Sequence, residues 1–265
     1  GTTYRTVESV RGRLLDPIES VQMCIQHFSR YADDPYDGPG SDTDGPLGGM
    51  DRGMFFGFGH SIGGATMIGA AYSPSRPYDR KNPRRFAAHH SADLRGAIVI
   101  GAEADFDPNV MYFRHQRQNL ELHEHSHADS LADFEEMMLK PDGTKTDLCK
   151  ALSPVDLIRS APADRAQTKL RAYYFKDFLT GTFETTVANA FGYGAIPPYD
   201  ANGHDWRQWA LLQSACADRG VSFSGKVWDV AEYGNADPDN GILYALREGA
   251  AETYTWMCDV LDNVA

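Results

Sequence analysis

The stretch from Met54 to Ala71, MFFGFGHSIGGATMIGAA, constrains this chain more than any other. Phe55, Phe56 and Phe58 form an aromatic run that reads as a buried strand. The run breaks at Gly59-His60-Ser61-Ile62-Gly63, and the small residues from Ala65 to Ala71 then read as a helix. A strand, a tight turn and a helix in direct succession put the turn residue between a strand's carboxyl end and a helix N-terminus. Glycines on either side of Ser61 let the chain pass close without side chains in the way. The competing reading is a glycine-rich loop whose serine caps a helix, because short G-x-S-x-G matches also arise by chance. The strand before and the helix after favour the first. They hold Ser61 Oγ clear of the sheet edge, with the free N–H groups of the helix turned toward any negative charge that develops there.

Length and charge bound the rest. The chain has 265 residues, enough for one large α/β domain with a sizeable core. We expect that domain to span 1–265, with 108–150 as a lid or insertion and 221–265 as an atypical C-terminal extension. Asp plus Glu number 37 against 25 Lys plus Arg, a formal charge of −12. That balance argues against nucleic acid or an anionic membrane as the main partner, since both demand concentrated positive charge. No apolar run is long enough to span a bilayer, and the polar start carries no targeting segment, so secretion and a cytoplasmic location stay equally open. Cys24, Cys149, Cys216 and Cys258 are widely spaced and include no C-x-x-C pair, which disfavours a zinc or dithiol site.

Along the chain, Leu14, Leu15, Ile18, Val21, Gln22, Ile25 and Phe28 recur at helical spacing. The periodicity predicts a helix over Pro17 to Ser29, with Asp16 as its N-cap. Residues 31–49 and 73–92 are Pro- and Gly-punctuated loops. Leu94 to Gly101 is apolar almost throughout and reads as a buried parallel strand. It runs into Ala102-Glu103-Ala104-Asp105, and carboxylates just past a strand's carboxyl end lie where open α/β sheets bind ligands. Leu170 to Asp177 is expected to be the next strand, the alternative being one long helix over 165–190. A helix follows from Trp206, then a strand over Val221 to Val230, and one or two helices over Ile242 to Asp262.

These motifs resemble the α/β-hydrolase superfamily. Met50-Asp51-Arg52-Gly53, the strand and Gly59-His60-Ser61-Ile62-Gly63-Gly64-Ala65-Thr66 are similar to the nucleophile turn of serine esterases and lipases. Asn202-Gly203-His204-Asp205-Trp206 is similar to the histidine loop of esterase members. The resemblance implies a mostly parallel sheet with helices on both faces and a serine hydrolase acting on a small-molecule ester, with no cofactor. Ser61 would be the nucleophile and His204 the base. Asp177 would orient the histidine, with Asp105 and Asp229 as alternative acids, and the N–H of Ile62 would supply one oxyanion donor. The superfamily has several strands before this turn, and here no clear strand precedes Phe55. Three explanations are open: the chain is incomplete, with a second chain supplying strands; it is permuted so that 221–265 fills part of the gap; or the fold is a different one.

Two other function classes compete. His115, His123, His125 and His127 crowd one segment with Glu124, and His123-Glu124-x-x-His127 has the spacing of a helical zinc site. A polar surface loop accounts for the same residues. The third reading is a hydrolase-like scaffold without chemistry, serving as a subunit of an assembly.

Overall fold

A computed structural model of the protein describes residues 16–33, 55–73, 94–108, 136–175, 206, 208–229 and 238–263. The elements in chain order are α1 (Asp16–Asp33), β1 (Phe55–His60), α2 (Ile62–Tyr72), β2 (Leu94–Ile100), α3 (Asp147–Leu152), α4 (Pro154–Arg159), β3 (Lys169–Phe175), α5 (Gln208–Arg219), β4 (Phe223–Trp228) and α6 (Pro238–Asp262). The four strands form one sheet in the order β1-β2-β3-β4. Each neighbouring pair is parallel. Register aligns His60 with Ile100, and Ile100 with Tyr173, so β1 and β2 end level at their carboxyl ends while β3 runs on to Phe175.

Both faces of the sheet are covered, as near-continuous apolar strands require. On one face Ala97, Val99, Leu170, Ala172 and Tyr174 pack under residues of α2, α4 and α5, including Ile68, Ile158 and Leu212. Burying each such aliphatic side chain contributes about 1.5–3 kcal/mol. On the other face Ile98, Ile100, Tyr173 and Trp228 meet Trp256 and Met257 of α6. Tyr173 stacks on Trp228 at 4.9 Å, and Phe56 meets Trp256 edge-on at 5.8 Å. The molecule thus has an α/β fold, a parallel sheet flanked by helices on both faces in an α/β-hydrolase-like arrangement.

α2 is buried from Gly64 to Tyr72 except at Thr66. An apolar sequence on all sides suits a helix wedged between the sheet and α1. Gln22 of α1 donates to Ser73 Oγ at 3.0 Å, tying the two helices together at the far end from Ser61.

The strand expected from Leu170 is present as β3, and the alternative of one long helix over 165–190 is excluded where it overlaps that strand. Leu170, Ala172 and Tyr174 point to one core while Tyr173 points to the other, the two-residue alternation of a strand. Arg171 is accommodated because its guanidinium lies 5.1 Å from the Tyr173 ring centroid and 3.2 Å from Glu252. α1 is longer than predicted and takes in Asp16, which was expected to cap it. The permuted arrangement fails on position: β4 pairs with β3, at the edge of the sheet opposite β1. Residues 136–150, expected within a lid or insertion, include Met138 and Cys149, both fully buried.

Candidate active site

Ser61 follows β1 directly and precedes α2, at the carboxyl edge of the sheet. Its backbone has φ 55 and ψ −127, and it is the only non-glycine with positive φ among the described residues. A side chain in that region costs on the order of 1–3 kcal/mol, so the surroundings must hold it there. Three contacts do. The Ser61 N–H donates to the Ile100 carbonyl at 2.9 Å, and its own carbonyl accepts from Gly64 N at 2.8 Å and Ala65 N at 3.2 Å.

The glycines around the serine are not equivalent. A Cβ on Gly59 would lie 2.2 Å from the Gly63 carbonyl oxygen, and one on Gly64 would lie 2.6 Å from Ala102 Cβ. A Cβ on Gly63 would meet nothing within 4 Å. The close passages are therefore at Gly59 and Gly64, whereas the sequence pattern places the second one at Gly63.

α2 opens at Ile62; Gly64 N and Ala65 N turn back to the Ser61 carbonyl, so of its first N–H groups those of Ile62 and Gly63 precede the first helical acceptor. This is where the sequence places an oxyanion donor, the N–H of Ile62. The facing wall is the extended segment after β2. Gly101 N donates to the Tyr173 carbonyl at 2.8 Å, and Val155 N donates to the Ala104 carbonyl at 3.0 Å. Ala104 N donates to Gln208 Oε1, and Phe106 N to Ser153 Oγ at 3.0 Å. The hydroxyl of Tyr174 donates to the Ala102 carbonyl. Five bonds, to β3, α4, α5 and Ser153 between α3 and α4, fix this stretch of backbone.

That segment carries Glu103 and Asp105, which have different surroundings. Ser61 Oγ donates to Glu103 Oε1 at 3.2 Å, and Glu103 is only 4 % exposed. Asp105 is engaged elsewhere: both carboxylate oxygens lie 2.7 Å from Lys145 Nζ, which also reaches Asp156 Oδ2 at 2.7 Å. Burial works against the Lys145 charge, but hydrogen bonds and attraction from the two aspartates outweigh it and raise its pKa. Sequence reasoning placed carboxylates in this segment and put Asp105 forward. It named Glu103 in that segment without singling it out; the register that ends with His60 beside Ile100 brings Ser61 to the start of the segment that carries Glu103.

Asp229 follows β4 at the same edge of the sheet and is half-buried. Asp177 and His204 lie outside the described residues, as do His115, His123, Glu124, His125 and His127. Among the described residues no group of three or more His, Cys, Asp or Glu side chains could hold a metal ion. None of the described helices is long and apolar enough to cross a membrane. All four cysteines are free thiols. On the α6 face a cavity of about 240 Å³ is lined by Phe58, Ile98, Ile100, Tyr173, Leu246 and Met257, with further residues of α6.

No protein-family model matches the chain, and no curated protein matches it in sequence. Among solved structures it is similar to esterase B from Lactobacillus rhamnosis, with a TM-score of 0.48 at 10% identity over 92% of this chain and 60% of that chain. The same esterase inhibited by a C6-C4 SN3 compound gives a TM-score of 0.46 at 11% identity, over 92% of this chain and 62% of that one. The chain thus spans less than two thirds of the length of these esterase chains.

Proposed function

We propose that the protein is a serine hydrolase that cleaves a small-molecule ester through an acyl-enzyme. The observation that carries this reading is the backbone of Ser61. A serine held at φ 55 between a strand and a helix is strained, and strain of this kind concentrates where a side chain must be presented in one orientation. Its hydroxyl lies beside a buried carboxylate, and the N-terminus of α2 begins at the next residue. A nucleophile held in one orientation and a helix dipole beside a developing oxyanion are parts that acyl transfer needs.

In this reading Ser61 Oγ attacks the ester carbonyl and the N–H of Ile62 donates to the resulting oxyanion. The triad follows the chain order Ser, Asp, His: His204 is the base, with Asp177 as the preferred acid and Asp105 and Asp229 behind it. The Lys145 ion pair weighs against Asp105 in that role, since its carboxylate is already committed.

The cavity under α6 shares Ile100 with the turn, because the Ile100 carbonyl holds Ser61 N. Its apolar lining suits an acyl or alkyl chain rather than a charged group. The test is hydrolysis of p-nitrophenyl esters of increasing acyl length by the wild-type protein and by Ser61→Ala. Turnover that depends on acyl length and vanishes in the variant supports the assignment. Equal turnover by both proteins would overturn it.

A further inference from the structure

Glu103 is a carboxylate that no part of the Ser-Asp-His scheme uses, yet it is the group in contact with the Ser61 hydroxyl. We propose that Glu103 is a catalytic residue and takes the proton of Ser61 directly. The inference rests on Ser61 being the nucleophile and assigns to Glu103 the first proton transfer that the triad gives to His204.

Geometry carries the proposal. The Oγ to Oε1 distance of 3.2 Å is within the reach of a general base, and such bonds commonly tighten when substrate binds. Glu103 sits on a wall segment fixed at Gly101, Ala102, Ala104 and Phe106, so its backbone cannot drift from the serine. Ser61 is fixed from the other side by the bond from its N–H to Ile100, at the end of the strand that runs into the wall. One rigid unit therefore holds both partners. The neighbouring carboxylate, Asp105, is turned to Lys145, and Glu103 is the carboxylate that accepts from the serine hydroxyl.

The step balances without a co-reactant. As Oγ forms its bond to the acyl carbon, the carbonyl π pair moves onto oxygen and the hydroxyl proton passes to Glu103 Oε1. Collapse of the tetrahedral species breaks the bond to the leaving alkoxide, which takes the proton back from Glu103. Water then repeats the sequence on the acyl-enzyme, with Ser61 as the leaving group.

The test is the rate of Ser61 labelling by a fluorophosphonate, followed by intact mass from pH 4 to pH 9. It compares the wild type, Glu103→Gln, Glu103→Asp and His204→Ala, each with its thermal unfolding midpoint. General-base catalysis contributes about 10²–10⁴-fold. Glu103→Gln keeps the shape and removes the basicity, so its labelling rate should fall at least about 100-fold. The acid limb of the wild-type pH profile should vanish with it. Glu103→Asp, which keeps the charge but withdraws it, should be intermediate, and it serves as the decisive variant where the glutamine protein does not fold. A folded Glu103→Gln protein labelled at the wild-type rate with an unchanged profile would overturn the proposal, as would loss confined to His204→Ala. A wild-type protein that never labels would instead overturn the serine reading and this proposal with it.

Discussion

Gly64 and Ala102 approach so closely that a Cβ on the glycine would sit 2.6 Å from the alanine's own. This contact sets the separation between the turn that carries Ser61 and the wall that carries Glu103. Gly64→Ala should therefore destabilise the protein by about 1–3 kcal/mol, the usual cost of overpacking, and should slow Ser61 labelling by pushing the wall away. Gly63→Ala, with nothing within 4 Å of the new methyl, should be neutral or stabilising by up to about 1 kcal/mol. Thermal unfolding of the two variants checks the pair. Equal effects would mean that the close passage is not where the structure puts it.

The strain at Ser61 predicts an unusual ordering of variants. Ser61→Ala removes the hydroxyl but leaves a Cβ at φ 55, whereas Ser61→Gly removes both. The glycine protein should be more stable than the alanine protein by about 1 kcal/mol, or roughly 2–4 °C in unfolding midpoint. Both should be inert toward ester substrates. Ordinarily glycine is the less stable choice, so the sign of the difference is the readout.

Lys145 holds Asp105 and Asp156 together at 2.7 Å each. Replacing it with methionine would leave two aspartates without their counter-ion, at a cost of about 1.5–3 kcal/mol for lost charged hydrogen bonds. The pH dependence follows from the direction of its shift. The folded pKa lies above the ordinary value of 10.5, so the Lys145 contribution is complete below about pH 10 and is lost as pH rises through the folded value. Denaturant titrations at pH 8 and pH 11 should show a larger loss for the wild type than for Lys145→Met. Equal losses would show that this pairing adds no stability.

Burial separates the thiols. It pushes both Cys149 and Cys216 up to about 12, while Cys24 is exposed. Because the thiolate is the reactive form, iodoacetamide at pH 8 should alkylate Cys24 in the native protein and spare Cys149 and Cys216. Peptide mapping after a short exposure distinguishes the sites. Modification of Cys216 at the rate of Cys24 would contradict the packing of α5 against the sheet.

Much of this architecture is legible because short range decides it. The apolar run at Leu94 to Ile100 is a strand buried on both faces, and the small residues after Ser61 form a helix that fits only inside the core. At β3 local pattern was ambiguous, since Leu170 to Phe175 satisfies both periods. The choice came from pairing with β2 on one side and β4 on the other. The same limit explains Glu103 and Gly64. Their importance lies in contacts to residues 42 and 38 positions away, which spacing along one strand or helix cannot reveal. Asp177 and His204 lie outside the described residues, so the acid and the histidine remain as the sequence proposes them.

The most direct test of the serine assignment is intact-mass labelling of the native, folded protein by a fluorophosphonate, compared with Ser61→Ala. The account predicts a single adduct that maps to Ser61 and is absent from the variant. No adduct on the folded wild type, or an adduct that persists in Ser61→Ala, would contradict it.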